Sequence, residues 1–329
     1  MIIDQLFKQF NKTKVLVLGD VMIDAYFYGS VSRISPEAPV PIVNLKRKEQ
    51  RLGGAANVAL NLKSLGAEPI ICSIKGNDAD GAKLKELCKE NGLVVDALIN
   101  DYNRQTTVKT RVIGNNHQLL RIDEEETKDI DASLEDLVYE AVNSLISEID
   151  VLIFQDYNKG LLTSGLIRRV ISLCQKHNVP MVVDPKFTNF FEYEGVTLFK
   201  PNKKELLQAE NISESLSIAE VQAVAEEVRI KLKASKVMTT LSEDGVIIIS
   251  EDGVTHLPAH ARKIVDVSGA GDSVLSVAAL CVAAGISDEL TAALSNLAGG
   301  IVCEQVGVVP VDKHLLLGEA MELDITNGY

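Results

Sequence analysis

The sequence has no Cys-x-x-Cys pair, no long apolar run and no surplus of basic residues, and each absence removes a class of function. Its five cysteines, Cys72, Cys88, Cys174, Cys281 and Cys303, are scattered through apolar segments. That usage predicts reduced core thiols in an intracellular protein, not a disulfide framework. The most apolar stretch, 274–286, is interrupted by Ser276 and is shorter than the roughly 20 residues needed to cross a bilayer. The opening decapeptide MIIDQLFKQF carries Asp4 and Lys8 and lacks the apolar core of a signal peptide, so a soluble, cytoplasmic protein is expected. With 33 basic and 46 acidic residues the net charge is −13. A duplex or single strand of nucleic acid needs a basic face to displace its counterions, so nucleic-acid and membrane partners are not expected. A small anionic substrate needs only a local cluster of Lys and Arg.

Familiar nucleotide and metal signatures are also missing. Only Gly19 stands where a dinucleotide-binding fold would carry G-x-G-x-x-G, which disfavours a nicotinamide oxidoreductase. The run 76–83 superficially resembles a P-loop but has no Gly-Lys-Ser/Thr ending. There is no H-E-x-x-H, and the five histidines do not cluster at ligand spacing.

What is present is an alternation of short β-rich runs with amphipathic helical stretches. Strands are expected at 14–19, 68–74, 94–99, 150–155, 180–184, 197–200, 236–240 and 245–250. Helices are expected at 54–65, 80–91, 132–147, 164–177, 203–209, 218–232, 271–284 and 288–303. Runs such as VLVLGD and VLIFQD are apolar on both faces, the mark of a parallel sheet covered on both sides. The alternation implies a doubly wound α/β layer structure. Two segments break it, 25–45 and 105–123, which alternate in the antiparallel manner. They read as one small sheet forming a lid that keeps water from a site. No repeat or linker divides the chain, so 1–329 is treated as one domain with a lid.

The candidate chemistry lies at strand ends. Gly269-Ala270-Gly271-Asp272 opens an apolar helix, and small residues there let backbone N–H groups converge into an anion hole. Asp272 could then accept a proton from an attacking hydroxyl beside a transferring phosphoryl group. Taken alone the tetrapeptide reads equally as a turn with Asp272 capping the helix. It is accompanied by Gly53-Gly54-Ala55-Ala56-Asn57, where Asn57 could bond a polyol, and by Asp20 and Asp24 after the first strand. Asp156, Asp184-Pro185-Lys186 and Asn202-x-x-Glu205 each follow a further strand. Several polar groups at the carboxyl ends of consecutive strands mark a site in open α/β sheets.

The Gly-Gly-Ala-Ala-Asn run, Asn202-x-x-Glu205 and the Gly-Ala-Gly-Asp run, in this order, resemble the ribokinase-like (PfkB) carbohydrate kinase family from about residue 14 to about 311. Within it, SRISPEAPVP at 32–41, QLLRID at 118–123 and DYNKG at 156–160 resemble the branch acting on D-glycero-β-D-manno-heptose 7-phosphate. The resemblance implies a mostly parallel sheet between helices, with a β-sheet lid that pairs two subunits into a homodimer. It implies ATP-dependent phosphorylation of the anomeric hydroxyl to the 1,7-bisphosphate in ADP-heptose formation. Asp272 would be the base, and Gly269, Ala270 and Gly271 the anion hole. Asn202 and Glu205 would place Mg²⁺ through its waters. Asp20, Gly53, Gly54 and Asn57 would hold sugar hydroxyls, and Asp156 lies among them. Thr240, Ser242, Gly245 and Asn296 would line the nucleotide, and Asp266 matches a monovalent-cation (K⁺) site of relatives.

Candidates for the substrate phosphate are Arg33, Lys109, Arg111, Arg121, Lys159 and Lys186, each of which could equally be a solvated surface charge. Three positions depart from the pattern: Leu241 for a common Arg, Leu52 for Pro and Gln155 for Ser. No nucleotidyltransferase pattern follows the kinase pattern, so that later step is expected to fall to a separate protein. A kinase of another sugar or sugar phosphate, and a sugar-binding protein without catalysis, remain as alternatives.

Overall fold

Residues 15–18 of the first strand are fully buried and send alternate side chains to opposite faces, which fixes where the layers must lie. The computed structural model describes residues 3–213, 215–260 and 262–322. The strands are β1 (Lys14–Gly19), β2 (Val21–Ile34), β3 (Pro41–Gly54), β4 (Glu68–Gly76), β5 (Leu98–Asp101), β6 (Val108–Gly114) and β7 (His117–Glu124), followed by β8 (Val151–Gln155), β9 (Met181–Asp184), β10 (Leu198–Phe199), β11 (Lys236–Thr240), β12 (Val246–Ser250) and β13 (Gly253–Leu257). The helices are α1 (Ile3–Phe10), α2 (Ala55–Ser64), α3 (Ala79–Glu90), α4 (Ala132–Leu145), α5 (Ser164–His177), α6 (Lys203–Ala209), α7 (Ile218–Leu232), α8 (Ala270–Ala284), α9 (Asp288–Cys303) and α10 (Lys313–Glu322).

The large sheet has the order β13-β12-β11-β10-β9-β8-β1-β4-β5. It is parallel from β5 to β11, and β12 and β13 join as an antiparallel edge. Val15 and Val17 face one core cluster with the apolar sides of α2, α8 and α9. Leu16 and Leu18 face the other, with α4, α5 and α7. This is the doubly wound, ribokinase-like α/β arrangement expected from the sequence. Helix ends are capped locally: Asp78, Asp131, Thr163, Ser217 and Ser287 each accept from a first-turn N–H.

After β1 the chain winds to β4 and β5 and then returns to β8 on the other side of β1. The order of winding therefore reverses between β1 and β8, and a crevice opens at their carboxyl ends. There Gly19 packs flush on Gln155; a Cβ on it would lie 2.2 Å from the Gln155 carbonyl oxygen.

The lid is a second sheet, order β3-β2-β6-β7. Its strands run further than the alternating segments suggested: β2 begins directly after Asp20, and β3 continues to Gly54, the residue before α2. The ladder is interrupted between Tyr28 and Gly29, between Val31 and Arg33, and on β6 between Val112 and Ile113. All five cysteines are free and buried, as expected of core thiols. Among the described residues no helix is long and apolar enough to cross a membrane.

Candidate active site

Asp272 occupies the first turn of α8 and is 6% exposed. Three side chains hold its carboxylate. Asn57 Nδ2 donates to Oδ2 at 2.6 Å, the Tyr157 hydroxyl donates to Oδ1 at 3.0 Å, and Gln155 Nε2 donates to Oδ1 at 3.2 Å. Burial pushes the carboxyl from its ordinary 3.8 up to about 6; the Asn57 hydrogen bond opposes the rise and the nearby Asp184 adds to it. A carboxylate poised near 6 is ionised at neutral pH yet basic enough to take a proton. Among the described residues, the N–H groups of Gly271 and Asp272 have no protein acceptor, whereas Ala270 N–H donates to Val267 O at 3.3 Å. The anion hole is thus narrower than expected: Ala270 contributes its small size but not its N–H. Gly269, at φ +83°, makes the turn that an L-residue would strain.

Behind the base lies a buried ion pair. Lys200 Nζ is 3.2 Å from Asp184 Oδ1, with side chains 3% and 7% exposed. Gln155 Nε2 also donates to Asp184 Oδ2 at 3.3 Å, so one amide bridges Asp184 and Asp272. Its Oε1 is buried without a protein partner among the described residues.

The loop after β8 forms another wall. Asp20 Oδ2 accepts from the N–H groups of Tyr157 (2.9 Å) and Lys159 (3.1 Å), clamping that loop beside the crevice. Burial raises the Asp20 carboxyl above its ordinary value, against those backbone hydrogen bonds. Asp156 is pushed up to about 6 by burial and by the charge of Asp20. Its oxygens accept from Asn158 N–H and the Tyr193 hydroxyl, both at 2.8 Å. Gly53 and Gly54 are required by contact, since a Cβ on them would lie 2.3 Å from Asp24 Oδ2 and from Asp20 O respectively.

A cleft of about 1210 Å³ runs from Asp272, Gly269 and Gly271 past Lys186, Lys203 and Lys204 to Asn202. It adjoins a second hollow of about 650 Å³ lined by Gly245, Val246, Val274, Asn296 and Gly300. Thr240 and Ser242 line both. Asn202 and Glu205 form a capping box on α6: Asn202 Oδ1 accepts from Glu205 N–H and Glu205 Oε2 from Asn202 N–H, each at 2.9 Å. Glu205 also pairs with Lys186. Burial alone would lower the Lys186 ammonium, but Asp184 and Glu205 hold it above its ordinary value.

Over the site the lid presents Asp24, Tyr26 and Arg111. Arg111 pairs with Asp24 and lies 5.3 Å from the Tyr26 ring centroid. Lys109 bonds Asp123 (3.2 Å) and Glu125 (3.0 Å), and Lys159 bonds the same Glu125 at 2.8 Å.

These contacts place the remaining expected residues. Asn57 is fully buried and donates its amide to Asp272. Asp156 has both oxygens engaged and clamps its own loop. Arg33 is exposed near the tip of β2, paired in register with Ile42. Thirteen residues of strand separate it from Asp20, roughly 40 Å at 3.3 Å per residue, so it does not reach its own chain's site. Arg121 is 51% exposed and tied to Asp123. Leu241 is 4% exposed in the core, so no side chain there reaches a phosphate. Asp266 accepts from Ser268 N–H (2.9 Å) and Gly307 N–H (2.8 Å), one on each oxygen. Lys200 and Arg51 were not among the candidates, although a Lys ending a strand one residue before Pro201-Asn202 is a signal that could have been used.

The chain is 39% identical over 317 residues to the protein named bifunctional protein HldE of Desulfatibacillum aliphaticivorans, covering 96% of this chain and 65% of that one. It is 38% identical over 319 residues to the protein of the same name from Syntrophotalea carbinolica, covering 95% and 64%. The chain thus spans just under two thirds of the length of these relatives. Phosphofructokinase-2 from Escherichia coli in complex with potassium shares the fold at a TM-score of 0.78 and 19% identity, over 95% of this chain and 99% of that one. Arabidopsis thaliana ribokinase complexed with ribose and ATP does so at 0.72 and 17%, over 93% and 99%. The pfkB family carbohydrate kinase profile matches residues 12–313, and to that family of sugar-phosphorylating enzymes this chain belongs.

Proposed function

We propose that this kinase transfers the γ-phosphoryl group of ATP to the anomeric hydroxyl of D-glycero-β-D-manno-heptose 7-phosphate, giving the 1,7-bisphosphate used in ADP-heptose formation. The observation that carries the chemistry is the Asp272 carboxylate, oriented by Asn57, Tyr157 and Gln155 beside free N–H groups at the start of α8. Asp272 takes the hydroxyl proton, the sugar oxygen forms a bond to the γ-phosphorus, and ADP leaves with the electrons of the broken P–O bond. The N–H groups of Gly271 and Asp272 receive the charge on the transferred phosphoryl oxygens. Lys186, Lys203 and Lys204 line the cleft where the triphosphate would lie.

Similarity to the HldE proteins along nearly the whole chain supports the heptose, as does the lid pattern. A phosphate-bearing sugar suits a lid whose cations, Lys109 and Arg111, are held by carboxylates that an incoming phosphate can replace. One observation favours a second reading, a kinase of another sugar phosphate. The SRISPEAPVP run, the most heptose-like of the patterns, lies at the tip of the β2–β3 hairpin and does not line the cleft beside Asp272.

Mg²⁺ fits as a nucleotide-borne ion. Among the described residues no cluster of three or more acidic, His or Cys side chains could cage it, and Glu205 is already bonded to Asn202 N–H and Lys186. Asn202 and Glu205 would meet it through water, and the ion would neutralise charge on the β- and γ-phosphates. The two oxygens of Asp266 and the carbonyls of Val306 and Val308 each accept one hydrogen bond and keep lone pairs with which they could meet a monovalent cation. The outer face of the lid exposes Leu120 (55%) and Ile122 (45%), which supports a homodimer through the lid. Sedimentation of the wild type against Leu120→Lys/Ile122→Lys checks this: the variant should sediment as a monomer.

The first experiment is an ATP-to-ADP assay with Mg²⁺ on the heptose 7-phosphate, sedoheptulose 7-phosphate, fructose 6-phosphate, ribose and fructose, with products identified by NMR. Selective turnover of the heptose supports the reading; selective turnover of another sugar replaces the substrate and keeps the chemistry. The pH dependence follows from Asp272. Because it must be ionised to act and titrates at about 6, kcat/KM should be flat above pH 7 and fall about tenfold per unit below pH 6. A profile flat down to pH 5 would remove Asp272 as the base.

A further inference from the structure

Arg51 stands on β3 close to where that strand runs into α2, in register with Asp24 of β2. Its guanidinium carbon lies 5.1 Å from the ring centroid of Tyr26, the ring that Arg111 also flanks. Nη1 donates to the carbonyl oxygens of Val306 (3.2 Å) and Val308 (3.1 Å). The Tyr26 hydroxyl accepts from Val308 N–H at 3.4 Å. The lid thus grips the loop after α9 on both sides of Gly307. Gly307 itself has φ +74°, and a Cβ on it would lie 2.6 Å from Arg51 Nη1, so the position has room only for hydrogen.

The grip continues toward the base. Gly307 N–H donates to Asp266 Oδ2, and Asp266 Oδ1 accepts from the N–H of Ser268, the residue before Gly269. Val308 is buried, but the residues on the near side of each turn are not: Val306 is 59% exposed and Val267 68%. Hydrogen bonds therefore help to set where those exposed parts lie. Arg51 is the charged donor in that chain, and charge-assisted hydrogen bonds are its strongest members.

We propose that Arg51 is a positioning residue for phosphoryl transfer, the fixed cation that holds the Gly307 loop and, through Asp266, sets the N–H groups at the start of α8. It touches neither the reacting atoms nor the base. A placement error of about 1 Å at those N–H groups is enough to lower the rate about a hundredfold. The consequence is a mechanical link: the lid that covers the sugar also aligns the groups that receive the phosphoryl charge. This rests on the kinase reading and, for the assay substrate, on the heptose 7-phosphate.

The test compares wild type with Arg51→Met, Arg51→Lys and Gly307→Ala, in buffers free of Na⁺ and K⁺. For Arg51→Met the expected result is a fall in kcat of about tenfold to a hundredfold, with KM for the sugar phosphate changed less than about threefold. Partial recovery is expected in Arg51→Lys, whose ammonium can still donate to both carbonyls, or in Arg51→Met on adding guanidinium. Gly307→Ala, which displaces the guanidinium without removing it, should reproduce the kcat loss. It also decides the matter if Arg51→Met folds poorly by circular dichroism. A loss confined to KM for the sugar would make Arg51 a substrate ligand and overturn the proposal, as would unchanged kcat in both Arg51→Met and Gly307→Ala. Wild-type inactivity on the heptose strikes the substrate instead, and the same comparison is then run on whichever sugar of the panel is turned over.

Discussion

Asp272→Asn should lose most turnover while still binding ATP and sugar, and it should be more stable than the wild type at pH 7.5. Removing a positioned general base lowers kcat by about 10²–10⁴-fold, because the amide cannot take the hydroxyl proton. Binding survives since the amide keeps the shape of the carboxylate and its oxygen can still accept from Tyr157. The stability gain follows from the raised carboxyl. Its folded value, about 6, lies above the ordinary 3.8, so the fold disfavours the ionised form. That cost is absent below pH 4, grows between pH 4 and 6 and is complete above pH 6, where it amounts to about 3 kcal/mol. Asn carries no charge and escapes it; allowing for one poorer hydrogen bond to Asn57, the urea midpoint at pH 7.5 should reflect a gain of about 1–3 kcal/mol. The gain should vanish at pH 4. Calorimetric titration with ATP, ADP release and urea unfolding at both pH values check the three parts. Normal turnover in the variant would end the assignment of the base.

The second large effect is expected at Lys200→Met. Breaking a buried pair from one side leaves an uncompensated charge, here Asp184 at 7% exposure, and destabilises by about 3–5 kcal/mol. The same change acts on catalysis. Lys200 lowers the Asp272 carboxyl and Asp184 raises it, so without the ammonium the acidic limb of the kcat/KM profile should move to higher pH. Asp156 is also pushed up to about 6, but its leading causes are burial and Asp20, so Lys200→Met should move Asp272 more than Asp156. Adding Asp184→Asn to Lys200→Met removes the orphaned charge. The double variant should recover much of the stability and bring the limb back down, a non-additivity that a double-mutant cycle reads directly. If the two substitutions are additive, Asp184 and Lys200 do not act as a pair.

The layers of the fold were legible because both-face apolar strands and amphipathic helices each have their own period. Strands β1 and β11 and helices α5, α6, α7 and α9 lie where the pattern placed them. What escaped had no such signature. β13 is short, mostly solvent-facing and paired only with β12, while α1 and α10 flank the motif-bearing part of the chain. The second sheet starts earlier than the alternation suggests, at Val21, where residues 21–26 are buried like a core strand, and runs on through the charged run 46–51 to Gly54. The positions of Asp272, Asp20, Asn202 and Glu205 could be picked out because strand ends and helix starts converge in any open α/β sheet. Their partnerships could not. Asn57 and Asp272 are 215 residues apart, Arg51 and Val306 are 255 apart, and Lys200 meets Asp184 only once β9 and β10 pair. Nothing local in the sequence distinguishes an amide that holds a sugar from one that holds a carboxylate.

Two of the three interruptions in the lid ladder fall on one line across the sheet, at Gly29 on β2 and at Ile113 on β6, and the third lies further out, between Val31 and Arg33. Each inserts slack into the hydrogen bonding and lets the strand bend there. The half nearer the crevice, with Asp24, Tyr26, Arg51 and Arg111, is continuous with β1 and α2 and has no hinge of its own. The second sheet is thus built as two panels: one continuous with the strand and helix that wall the crevice, and one whose pairing with its neighbours is broken and restarted.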